Sequence, residues 1–161
     1  MVCQMNFKIR ELSLEWRVLI CAFTLSLLIG YGVALLKAFE KTSFSPSRVT
    51  VSYRGENDPD SLELPKTFEE ILQNTHAHAM SVPLVYFLLG GLFCGTSASA
   101  RLKIFSVIFI FGGFFIEYLS LWGLLYVHKN FVWGTFAAHA VSGLAYLSMT
   151  ARVLWDCRRA Q

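Results

Sequence analysis

Apolar residues run along this chain in four long blocks separated by polar breaks, at 18–39, 76–97, 104–127 and 131–155. Each block is close to the roughly 20 residues that an α-helix needs to cross about 30 Å of hydrocarbon. The pattern predicts an all-α integral membrane four-helix bundle, built as a single membrane domain. An N-terminal tail (1–17), a long connection (40–75) and a C-terminal tail (156–161) complete the chain. The connection is too small to hold a core of its own and is expected to fold onto the mouth of the bundle. Within it, Val49, Val51 and Tyr53 alternate with polar neighbours, which predicts one short strand ending at Gly55. Gly55 to Ser61 reads as a turn. Thr67 and Glu70 have capping-box spacing, so an amphipathic helix should start there and run through Phe68, Ile71 and Leu72 into the second span.

Composition supports the bilayer as solvent: 55% of residues are hydrophobic and only 16% charged, too apolar for an ordinary soluble domain. Charge then orients the spans. Lys8, Arg10, Arg17, Arg101, Lys103, Arg152, Arg158 and Arg159 all fall at one end of the helices. In the 40–75 connection, Lys41, Arg48, Arg54 and Lys66 are outnumbered by acids. Both termini are therefore predicted to be cytoplasmic. The first span is too long for a signal-peptide core and has no small-residue cleavage site after it, so it reads as a retained anchor, with a bacterial inner membrane as the expected location. The net charge of +3 comes from scattered residues with no basic stripe, which leaves no footprint for nucleic acid. Cys3, Cys21, Cys94 and Cys157 fall on the cytoplasmic side without a CxxC pair, which argues against a disulfide framework or thiol exchange.

The candidate chemistry is imidazole. His76, His78, His128 and His139 all fall in the outer half of the bundle or at its outer edge. On a helix His76 and His78 point about 200° apart and serve different faces. His76 heads a line through Met80, Pro83, Phe87, Gly90 and Cys94 whose small residues suit close helix contact, so His76 is expected to face inward. His78 heads the greasier line Val82, Val85 and Leu89 and is expected near the headgroups or the outer loop. Pro83 should kink this span beside the histidines. Glu117 and His139 lie deep in the third and fourth spans, where an ionisable side chain needs a partner. Gly113, Glu117 and Ser120 form one polar stripe, and Thr135, His139, Ser142, Gly143 and Tyr146 another. A short turn makes these two spans neighbours, so Glu117 and His139 are the expected buried polar pair. Imidazoles from facing helices can hold haem b, here His139 with His76 or His78. Copper is a second possibility, through His76, Met80 and His128. The plain alternative is helix-edge polarity plus one Glu–His hydrogen bond. Tyr126, Phe131, Trp133, Trp16 and Trp155 read as interface anchors. There is no Walker loop, GxGxxG, HExxH, GxSxG or CxxCH, and no catalytic residue is assigned.

The HxH pair His76 and His78, the run Phe87, Gly90 and Phe93, and Glu117 followed by Trp122 together resemble a group of small proteobacterial four-span membrane proteins. The resemblance covers about the last 95 residues. It implies one anchor, an outward insertion and three further spans opening with HxH. Some members carry a periplasmic c-haem motif in the insertion, which implies a redox setting; this chain lacks that motif. Three functions are expected from the whole reading. The first is electron transfer through a b-type haem or metal in the outer half, favoured because histidine is confined to one side. The second is an accessory or assembly subunit of a larger membrane complex, not an enzyme on its own. The third is a proton or ion path through Glu117 and His139.

Overall fold

The computed structural model describes residues 7–56 and 63–159. Among these residues the chain forms α1 (Leu14–Thr42), α2 (Pro46–Arg54), α3 (Phe68–Cys94), α4 (Ala100–Tyr126) and α5 (Val132–Arg158), with 3-10 turns at Ile9–Glu11 and Lys129–Phe131. No strand occurs among them. Cys3 and most of the turn expected over Gly55 to Ser61 lie outside the described residues. Helices α1, α3 and α4 are long and apolar enough to cross a membrane. At 27 residues α5 is as long as α3 and α4, but it carries Thr135, His139, Ser142 and Thr150 and is not in that apolar set, which has three members rather than the expected four.

The strand expected at Val49 to Tyr53 is instead the helix α2. A lone strand has no neighbour to take its backbone N–H and C=O groups, whereas a helix closes its own. Pro46 sits at the first helical turn, where its fixed φ favours initiation, and Gly55 ends the element at φ +72°. Helical winding puts Val49 and Tyr53 on one face, four residues apart, and α2 lies against α1, α4 and α5. The capping box at the start of α3 is complete. The Glu70 N–H donates to the Thr67 hydroxyl at 3.2 Å, and the Thr67 N–H donates to the Glu70 carboxylate at 2.7 Å. Thr67→Ala is expected to cost about 1 kcal/mol, measurable as a lower midpoint of thermal unfolding in detergent. The helix then continues without a break through Pro83 to Cys94.

Helices α4 and α5 form the most extensive pairing in the molecule. Small residues allow it: a Cβ added at Gly113 would lie 2.8 Å from the Ser142 Cβ. Helix α3 packs on α4 and α5. Helix α1 leans on α5, where the Tyr146 hydroxyl donates to the Leu27 carbonyl at 2.9 Å, and it is not packed along α3. The apolar core, with Ile9, Ile20, Leu89, Phe93, Ile110, Met149 and Val153, fills the half nearest the termini.

The residues just before α1 are docked rather than trailing. The Ile9 N–H donates to the Gly95 carbonyl at 2.9 Å, and Ile9 is fully buried. Beside it, Arg10 donates through Nε and Nη2 to Asp156 Oδ1 at 3.2 and 2.8 Å. The Ser97 backbone N–H and hydroxyl also donate to the Asp156 carboxylate, and Arg152 Nη2 donates to Ser97 Oγ at 2.6 Å. Asp156 is fully buried in this cluster.

Candidate functional site

The half of the bundle nearest α2 contains space where the other half contains core. A cavity of about 300 Å³ is bordered by Val49, Ser52 and Tyr53 of α2 and reaches His78, Glu117, Tyr118, Thr135 and His139. It adjoins a larger one of about 500 Å³ between α1 and α3, which shares His78, Glu117, Tyr118 and His139 and adds Tyr31, Tyr86, Ser142 and Tyr146. Helix α2 covers one end of this space, so the segment expected as a strand supplies part of the site wall.

Glu117 and His139 face each other across the α4–α5 pairing, with Glu117 Oε1 3.3 Å from His139 Nε2. They border the cavity rather than being sealed in core, the His139 side chain being 57% exposed and Glu117 24%. One turn back on α5, the Thr135 carbonyl accepts from His139 Nδ1 at 2.8 Å. That bond assigns a proton to Nδ1, so Nε2 presents a lone pair to the carboxylate unless one more proton is present. A single proton, on Glu117 or on the imidazole, turns two facing acceptors into a hydrogen bond. The arrangement is chemically suited to hold one exchangeable proton. Thr135 completes the corner: its hydroxyl is buried, borders the cavity and has no hydrogen-bond partner.

Of the two α3 histidines it is His78 that borders the cavity with Glu117 and His139, and its Nδ1 donates to the Asn74 carbonyl at 2.9 Å. His76 is exposed and borders neither of the two cavities. Gly90, on the line from His76, is buried, but small residues alone do not decide which face of α3 packs inward. Leu89, on the line from His78, is fully buried, whereas Met80 and Phe87, on the line from His76, are each 70% exposed. Burial of large apolar side chains sets the rotation of the helix. His128 lies in the turn before α5, where its Nδ1 accepts from the Asn130 N–H at 3.2 Å. Thus His78, Glu117 and His139 share one cavity, while His76, Met80 and His128 lie outside it. Among the described residues no three of His, Cys, Asp and Glu are grouped to hold a metal ion.

The sequence marks Tyr53 as a strand residue and not as part of a site, although its four-residue spacing from Val49 is a usable helical signal. The Lys66 ammonium sits 4.1 Å from the centre of its ring. Burial, and then the charge of Glu117, push the Tyr53 hydroxyl above its ordinary pKa. Burial, and then the neighbouring Lys41, push Lys66 down. Both shifts place the α2 corner of the site in a desolvated setting.

Residues 43–161 match the model of a family, Aq_1264_TM, described as a transmembrane helical domain, so that α1 and the turn before it precede the matched region. No curated protein and no solved structure matches the chain.

Proposed function

Taking as its premise that the chain belongs to this family of transmembrane helical domains, we propose that it is a four-span protein of the bacterial inner membrane that handles a proton at Glu117 and His139. In this reading α5 spans as 131–155, beside spans at 18–39, 76–97 and 104–127, and both termini are cytoplasmic. The support is the gathering of Lys8, Arg10, Arg17, Arg101, Lys103, Arg152, Arg158 and Arg159 at the end opposite α2. The single observation that carries the function is the 3.3 Å approach of Glu117 to the Nε2 of His139, whose Nδ1 is already engaged. Two ionisable groups at that depth, open to a cavity, are where a membrane protein would take up or pass on a proton.

The b-type haem reading has one observation in its favour: His78 and His139 both donate Nδ1 to a backbone carbonyl, which leaves Nε2 as the ligating atom in each. Against it, the Nε2 of His139 already faces Glu117, so iron would have to displace the carboxylate. The test is infrared difference spectroscopy of the purified protein between acid and neutral pH. A carboxyl–imidazole signal lost equally in Glu117→Gln, in His139→Ala and in the double variant is expected, because one shared proton cannot be lost twice. Two independent signals would overturn the proposal. A Soret band in the same sample would favour haem. Neither signal would leave the accessory-subunit reading.

A further inference from the structure

We propose that the gap between α1 and α3 binds a lipid-soluble quinone, its ring beside the Glu117–His139 pair and its tail running toward the termini. This rests on the proton-handling reading of that pair. Helix α1 leans on α5 and α3 packs on α4 and α5, so the space between α1 and α3 opens sideways toward lipid. Toward α2 the gap is the cavity of about 500 Å³ with Glu117 and His139 in its wall. Toward the termini, along the same face of α1, lies a groove of about 470 Å³ bordered by Trp16, Ile20, Phe23, Phe87, Leu88 and Gly91, with no charged or hydrogen-bonding side chain apart from the indole of Trp16. The two follow one another on one face of α1, where Trp16, Ile20 and Phe23 border the groove and Leu27, Gly30 and Tyr31 the cavity; on α3 the groove side, with Phe87 and Gly91, lies around the helix from the cavity side, with Val82 and Tyr86. Along α1, then, a polar space is followed by a greasy one, the order in which a ring and its tail would lie.

The polar end selects the head group. No lysine or arginine borders the larger cavity, so a phosphate head would have no counter-charge there, and Lys41 borders only the smaller part under α2. A carboxylate head would meet Glu117. A neutral ring bearing carbonyl or hydroxyl oxygens suits both conditions. It can stack against Tyr86, Phe114, Tyr118 or Tyr146 and exchange hydrogen bonds with the imidazoles, while the unpartnered Thr135 hydroxyl borders the adjoining smaller cavity. Both volumes fall within the ordinary range of about 300 to 1,000 Å³ for small-molecule sites.

The groove can be filled without disturbing the fold. A Cβ added at Gly30, in the polar part, or at Gly91, in the apolar part, meets nothing within 4 Å. The Gly30→Leu and Gly91→Leu variants should fold, because leucine is also the better helix former. The probe is decylubiquinone added to the full chain in phosphatidylcholine nanodiscs, followed by quenching of tryptophan emission. Saturable quenching is expected for the native protein, with an apparent Kd raised roughly tenfold or more in each variant. Three results would overturn the quinone: quenching that rises linearly with probe, saturation unchanged by both leucines, or full displacement by equal oleate, which would assign the groove to acyl lipid. Saturable quinone binding without the shared infrared signal would sink the proton reading alone, and the reverse result would sink only the quinone.

Discussion

Asp156→Ala is expected to lower the unfolding free energy by about 3–5 kcal/mol, seen as a large fall in the denaturation midpoint in detergent. The carboxylate is fully buried and accepts from Arg10, from the Ser97 backbone and from the Ser97 hydroxyl, with Arg152 Nε 3.8 Å away. Removing it leaves two guanidinium groups and a backbone N–H facing an apolar hole. Asp156→Asn keeps an acceptor and loses the charge, so it should fall between the two. Burial by itself would push the Asp156 carboxyl up, but hydrogen bonds from Ser97 and Arg10 and the Arg10 charge outweigh it and hold the group below its usual range. Because the folded carboxyl is then more acidic than the unfolded one, its stabilisation is complete above the unfolded value of about 3.9 and is lost as pH falls through the lower folded value. An acid titration of the native protein should therefore show extra unfolding below about pH 4, and the alanine variant should lack that component.

Gly113→Leu is the second large effect. Its Cβ would fall 2.8 Å from the Ser142 Cβ and 3.0 Å from the Ala138 carbonyl oxygen. A backbone atom cannot step aside, so α4 and α5 must separate. A destabilisation of about 1–3 kcal/mol or more is expected. Glu117 lies one turn further along α4, so the shared infrared signal from the Glu117–His139 pair should go as well. Gly112→Leu is the matched control: a Cβ there meets nothing within 4 Å, and the variant should keep both stability and signal. If Gly113→Leu leaves the signal intact, close helix approach does not set the pair's geometry.

The long helices were legible because apolar runs of that length leave little choice of structure. The facing of Glu117 and His139 was legible for a related reason, since two costly side chains on adjoining antiparallel helices have few places to turn. Three features were harder to read. Val49, Val51 and Tyr53 satisfy both period 2 and period 4 over so short a segment, and the choice depended on whether a neighbouring strand existed to pair with. The small residues on the line from His76 point that histidine inward, whereas Leu89 and Phe93 on α3 decide its rotation by the area they bury. The Arg10–Asp156 cluster crosses from before the first helix to near the end of the last, and no local pattern announces a contact of that separation. Arg152 and Asp156, four apart on one helix face, were the only sequence hint.

That cluster also orders events in time. Arg10 and Asp156 are 146 positions apart. During synthesis from the N-terminus the arginine must wait, unmatched, until α5 has emerged almost to its last turn. Closure of this latch therefore follows the synthesis of α1 to α4, and a chain truncated before Asp156 would never reach it.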